Sequence, residues 1–166
     1  IISAGTLQIG SGDAQGAVFA GGMIDTGEGS NNGILAFDRS DDALVISGII
    51  SGTGSVAQIG SGTTTLTGEN TYTGGTDLQA GTLSVASDGN LGASIGKVFF
   101  KGGTLRVTDD ITTSREMTLS SLGGTISVDA TKAITISGGI RDALLAKGSL
   151  TKTGEGTLIL TAQNNY

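Results

Sequence analysis

Along most of the chain apolar residues alternate with small or polar ones. Leu83 and Val85, Val98 and Phe100, Leu105 and Val107, Met117 and Leu119, Ile126 and Val128, Ile134 and Ile136, and Leu158 and Leu160 stand two residues apart, as do Leu7 and Ile9, Leu35 and Phe37, and Leu44 and Ile46. A period of two puts both members of a pair on one face, so each segment predicts a strand with one face hidden. These segments are about five residues long, recur roughly every ten and end at Gly, Asn or Asp, a layout shared by sandwiches, barrels and solenoids. Helical signal is confined to RDALLA at 141–146 and a turn at 90–94. Both are too short to stand without packing, and the first reads as a loop closing a coil.

Repetition decides among the three architectures. Ala4-Gly5-Thr6-Leu7 returns at Ala80-Gly81-Thr82-Leu83, and Gly60-Ser61-Gly62 through Tyr72 returns, more widely spaced, at Gly154-Glu155-Gly156 through Tyr166. Between these anchors Gly21-Gly22 matches Gly102-Gly103, and Ile46-Ser47-Gly48 matches Ile136-Ser137-Gly138. The spacing grows in steps, as loop insertions between fixed strands would make it. The chain is therefore read as a single all-β segment of two sequence units, 1–76 and 77–166, and the expected fold is a right-handed parallel β-helix (β-solenoid). In such a fold each coil lays its strands edge to edge with the coils on either side, and stability accumulates coil by coil. Seven or eight coils at ~4.8 Å would make a rod on the order of 35 Å long.

Composition agrees with many tight turns and no globular core. There are 30 glycines and no proline, so reversals must use residues that reach positive φ cheaply. Leu, Ile and Val recur throughout, which separates the chain from a disordered glycine-serine linker. No apolar run approaches the roughly 20 residues of a spanning helix, and the pattern starts in mid-stride at Ile1, so a soluble piece of a longer chain is expected.

One stretch carries a family likeness. Gly60-Ser61-Gly62, then Leu66-Thr67-Gly68, Asn70-Thr71-Tyr72-Thr73-Gly74-Gly75-Thr76 and Ala80-Gly81-Thr82-Leu83 resemble the passenger-associated transport repeat of bacterial autotransporters, the type V secretion family. Lys152-Thr153-Gly154-Glu155-Gly156-Thr157-Leu158 through Asn164-Asn165-Tyr166 is similar to the start of the same motif. Thr64 stands where the family has leucine, Ala162 where it has glycine and Asn165 where it has threonine. The motif positions are Gly68, Asn70, Tyr72, Gly74, Gly75, Gly81 and Leu83, then Gly154, Gly156, Leu158, Asn164 and Tyr166.

The resemblance implies a passenger exported through the periplasm and outer membrane to the cell surface or medium. Its partners would be the rest of the passenger and a carboxyl-terminal outer-membrane β-barrel beyond this sequence, with host surface molecules or sibling passengers as targets. It implies a stalk or adhesin, a virulence-related role in adhesion or autoaggregation, and help with secretion-coupled folding. For the residues themselves, Tyr72 and Tyr166 are expected to cover a corner of their coils, Asn70 and Asn164 to bond the turn backbone, and Gly74-Gly75 to reverse the chain. Binding loops are expected at 27–32 and 109–115.

Candidate chemistry adds little. A net charge of −6 with 9 Lys+Arg scattered singly offers no basic surface for nucleic acid. There is no histidine and no cysteine, so the usual general base, metal ligands and disulfides are missing. Asp41-Asp42 and Asp109-Asp110 could pair for acid-base work or calcium, but neighbours in an extended chain point to opposite faces and read as turn residues. Polysaccharide-degrading enzymes and carbohydrate-binding modules also use parallel β-helices, and Lys97, Lys101 and Arg106 lie close together, but their counterparts in the first unit, Ala20 among them, are not basic. No G-G-x-G-x-D calcium repeat occurs. Thr63-Thr64-Thr65 suggests the flat threonine ranks of ice-binding solenoids, and the stepwise spacing argues against them. No catalysis, cofactor or metal is expected.

Overall fold

The computed structural model describes residue 2 and residues 4–13, 23–25, 33–144 and 147–166. The chain winds as a parallel β-solenoid. Its first coil carries β1 (Thr6–Asp13) and β2 (Met23–Asp25), and the next carries β3 (Ile34–Arg39), β4 (Leu44–Ile46) and β5 (Ile49–Ser51). β6 (Ser55–Gln58) and β7 (Thr63–Leu66) follow, then β8 (Thr76–Leu78), β9 (Thr82–Val85) and a 3-10 helix at Asp88–Leu91. The later coils hold β10 (Val98–Phe100), β11 (Thr104–Val107) and β12 (Ile111–Thr113), then β13 (Met117–Leu119), β14 (Gly124–Val128) and β15 (Ala133–Ile136). The last is β16 (Ile140–Asp142), β17 (Leu150–Thr153) and β18 (Thr157–Leu160).

Strands one coil apart pair in parallel and make a three-sided prism. The first side is a 7-stranded sheet, β1-β3-β6-β8-β10-β13-β16, and the second a 6-stranded sheet, β17-β14-β11-β9-β7-β4. The third side holds the 2-stranded β2-β5 sheet early in the chain and the 3-stranded β12-β15-β18 sheet late in it. Between those two sheets single backbone bonds continue the ladder, Thr71 N–H to Ile50 O and Ala93 N–H to Tyr72 O. Seven strands stack on the first side, and the solenoid makes about 6 turns between the first and the last of them. The step from Thr6 to Ile34 is the longest between paired residues of neighbouring coils.

The alternation places the core as it should. Leu35, Val56, Thr76, Val98, Met117 and Ile140 stack inward on the first side, and Leu83, Leu105 and Ile126 on the second. All of these inward residues except the buried Thr76 belong to one continuous apolar cluster running the length of the rod. Every paired strand resting on another satisfies its backbone groups between coils, so no central globular core is required. Leu7 departs from its pair: Ile9 is buried, but Leu7 is 40% exposed on β1, an edge strand of the first sheet.

Both short helical signals are placed differently from expectation. The turn at 90–94 is in fact a 3-10 helix starting earlier, at Asp88. In RDALLA, Arg141 and Asp142 are the end of β16, because Ile140 pairs with Met117 and carries its neighbours into the sheet. Leu144 lies in a turn and is 98% exposed, while Leu145 and Ala146 fall outside the described residues, as do Ala20, Gly21-Gly22 and the loop at 27–32.

Candidate functional site: the repeat corners and the links between coils

The corner after β7 holds the most distinctive residues. Asn70 is only 5% exposed. Its Oδ1 accepts the Ile50 N–H at 2.8 Å from one neighbouring coil, and its Nδ2 donates to Asn90 O at 2.7 Å in the other. Asn90 repeats the device: its Nδ2 donates to Gly68 O at 3.0 Å, and its Oδ1 accepts the N–H groups of Ala86 and Ser87. Buried amides thus bond the backbone across three successive coils, where a loop between strands would otherwise leave polar groups bare. Asn90 was not singled out from sequence, although Gly68-Glu69-Asn70 and Asp88-Gly89-Asn90 are similar enough to have suggested it.

Tyr72 is fully buried and lies inside the coil instead of covering its corner. Its hydroxyl is 2.7 Å from the Thr76 hydroxyl, also buried. Burial pushes the phenol above its ordinary pKa, against the smaller opposing effects of that hydrogen bond and the nearby Arg115 charge. The glycines around it serve close approach more than reversal. A Cβ on Gly68 or Gly74 would meet the carbonyl oxygen of Gly48 or Gly54 at 2.5 Å, and Gly74 N–H bonds to Gly54 O, so the chain keeps running parallel there. Gly75 does take a positive φ of 88° and Gly81 one of 50°, immediately before β8 and β9. Leu83 is inward in β9 and fully buried.

The second copy keeps some of the local contacts but sits one side further round the prism. Where the first runs from β6 on the first side to β7 on the second, its counterpart runs from β17 on the second side to β18 on the third. Asn164 still accepts the N–H of a neighbouring coil, that of Ile140, at 2.9 Å, but its Nδ2 turns back to Ala162 O. Gly154 has φ 73°, and Gly154 and Gly156 approach the backbone of Val128 and Asp129. Leu158 is half-buried against the core, and Tyr166 is 46% exposed, so the two motif tyrosines occupy different surroundings. Ahead of each Gly-x-Gly turn stands a polar residue at an inward register position that donates to that turn's carbonyls. Gln58 Nε2 reaches Gly60 O and Gly62 O, and Lys152 Nζ reaches Thr153 O and Gly154 O. Gln58 is buried in register with Phe37 and Leu78, and its Oε1 has no partner.

Ion pairs link one coil to the next. Lys97 pairs with Glu116, Lys101 with Asp77, Arg106 with Asp129 and Lys132 with Asp109, each across neighbouring coils. The three basic residues that were close in sequence therefore point to three different acids and do not converge. Asp41 is held by Arg39 at 2.6 Å while Asp42 is exposed, and Asp110 Oδ1 accepts the Ala133 N–H. Neither aspartate pair forms a site, as alternation requires. Side-chain hydrogen bonds to Arg39, Lys132 and Arg106 hold Asp41, Asp109 and Asp129 below the ordinary carboxylate range. The same bonds push the pKa values of those three cations up. Among the described residues no three His, Cys, Asp or Glu side chains gather as a metal site would need.

The residue that sequence reasoning most clearly missed is Arg115. It is 2% exposed, lying between β12 and β13. Nε donates to Asp88 Oδ1 at 2.8 Å, Nη1 to the carbonyls of Ala93 and Gly96, and Nη2 to Asp88 Oδ2, Asp88 O and Gly92 O. Every guanidinium N–H therefore has an acceptor, the condition under which a buried cation is tolerated.

Outside, the second side presents a rank of threonines in register: Thr63, Thr82, Thr104, Thr125 and Thr151. This rank was not expected from coils of unequal length. It exists because the extra residues are confined to the corners and leave strand register untouched.

Two stretches of the chain, residues 56–85 and 150–166, match the family described as Passenger-associated-transport-repeat. The chain is also 37% identical over 156 residues to the Adhesin BmaC autotransporter of Brucella suis biovar 1 (strain 1330), a match covering 93% of this chain. The chain spans 4% of that protein's length. No solved structure matches it.

Proposed function

Since the chain is a segment of an autotransporter passenger, displayed on the cell surface or secreted, we propose that it serves as a stalk of an adhesin. One observation carries the reading: an unbroken apolar core runs through every coil while the polar side chains are used to fasten one coil to the next. A solenoid so built transmits position along its axis and gives a carrier for a binding element elsewhere in the passenger. Its partners are the rest of that passenger and the outer-membrane barrel that exports it. Coils that each satisfy their neighbour also suit a chain that folds as it emerges, one coil templating the next.

A second reading is favoured by the threonine rank, a flat hydroxyl face on which the segment would itself adhere to a host surface molecule or a sibling passenger. The two readings separate in the full-length protein on cells. Outward substitutions Thr82→Lys, Thr104→Lys and Thr125→Lys should leave attachment and aggregation unchanged if the segment is a stalk, with surface display measured in parallel. Loss of attachment at normal display would overturn the stalk reading in favour of the adhesive face.

A further inference from the structure

We propose that residues 87–96 form a binding site for a guanidinium group, filled in this chain by Arg115 from the coil that follows, and that this occupancy orders the segment. Between β9 and β10 the coil leaves the sheets for its longest described excursion without a strand, and its own hydrogen bonds are few. Asn90 N–H reaches Ser87 O, Gly92 N–H reaches Gly89 O and Gly96 N–H reaches Ala93 O, each a short local turn. The carbonyls of Asp88, Gly92, Ala93 and Gly96 do not close on one another but turn onto the same point, which the Asp88 carboxylate completes. The back of the site is Tyr72, and Gly92, at φ 82°, fits there because any Cβ would meet its ring at 2.9 Å. Without a cation these oxygens would face one another inside the rod, each repelling the next.

The arrangement selects guanidinium over ammonium. A planar group with five N–H donors in a fixed fork can serve the carboxylate and the four carbonyls together, whereas a lysine ammonium has three donors on one atom. The occupant comes from the coil on the carboxyl side, so the segment can order only once that coil is laid against it. Order in one coil is thereby made conditional on the next.

Hydrogen exchange on the whole chain tests this. In Arg115→Ala, the amides of Asn90, Gly92, Ala93 and Gly96 should lose protection by about tenfold or more, while those of β11, β14 and β15 keep theirs. Guanidinium chloride, far below denaturing concentration, should restore protection in the variant, and sodium chloride at equal concentration should not. Arg115→Lys should behave like Arg115→Ala. Unchanged protection of the segment, a loss spread evenly through a folded solenoid, or recovery equal in both salts would overturn the proposal. Should Arg115→Ala yield no folded protein, Asp88→Asn carries the test, since it keeps the shape of the site and removes its charge. Deprotection confined to 87–96 supports the proposal there, and deprotection elsewhere, or none, overturns it.

Discussion

Replacing Asn70 with alanine removes more than one side chain's worth of hydrogen bonds. The Ile50 N–H and the Asn90 carbonyl both lose their partner, in places where Ile50 and Asn90 are buried. A buried polar group left without a partner costs about 1–3 kcal/mol, so the two together, allowing for some relaxation, should cost about 2–4 kcal/mol. At this chain length a kcal/mol moves the midpoint by about 2–4 °C, and N70A should melt roughly 5–15 °C below wild type. The second copy supplies an internal control. Asn164 is only half-buried and bridges one coil instead of two, so water can replace it, and N164A should cost about 0.5–1.5 kcal/mol. Asn70→Asp keeps an acceptor for Ile50 but aims a carboxylate oxygen at Asn90 O, and it should be at least as harmful as alanine. Thermal and urea unfolding by circular dichroism measure all three. An N70A midpoint matching that of wild type or of N164A would refute the idea that buried amides hold the coils together at this corner.

Three further outcomes follow from the same geometry. Tyr72 is a phenol whose folded pKa is raised, so its contribution is fully present below the ordinary value near 10 and is lost as pH rises beyond it. The urea midpoint should therefore drop above about pH 10, and less steeply in Tyr72→Phe. Asp109 and Asp129 have folded pKa values below the ordinary 3.8, so the stability their pairs supply holds at neutral pH and disappears as pH falls below about 4. Asp129→Asn should flatten that acid limb, and at neutral pH it should cost no more than about 1 kcal/mol, as an exposed pair does. Thr64 is buried at an inward position in register with Leu44 and Leu83, so Thr64→Val, which extends that apolar stack, should raise the melting temperature, by roughly 1 kcal/mol of added stability. A lowered midpoint for that variant would show that the hydroxyl is needed.

Much of the fold was legible because a two-residue period has only one physical meaning in a strand. Val98 and Phe100, or Ile126 and Val128, could be assigned inward without knowing their partners. What resisted was anything set by a neighbouring coil. Tyr72 read as a lid because its own segment is a turn, yet the coils on either side enclose it. Arg115 looks like an ordinary loop cation until the carbonyls of residues 88–96, far off in sequence, are brought onto it. The register of the threonine rank was likewise invisible, since corner insertions shift sequence spacing without shifting strands.

The displacement of the second repeat by one side of the prism bears on how such passengers change length. If the two copies were to recombine and drop the chain between them, the excised piece would not be a whole number of turns. The junction would still find its shared contacts, because the Gly-x-Gly turn packs on the neighbouring backbone and the asparagine Oδ1 accepts a neighbouring coil's N–H in both copies. Everything beyond the junction would then face a different compass bearing about the rod, so shortening the stalk would also swivel whatever it carries.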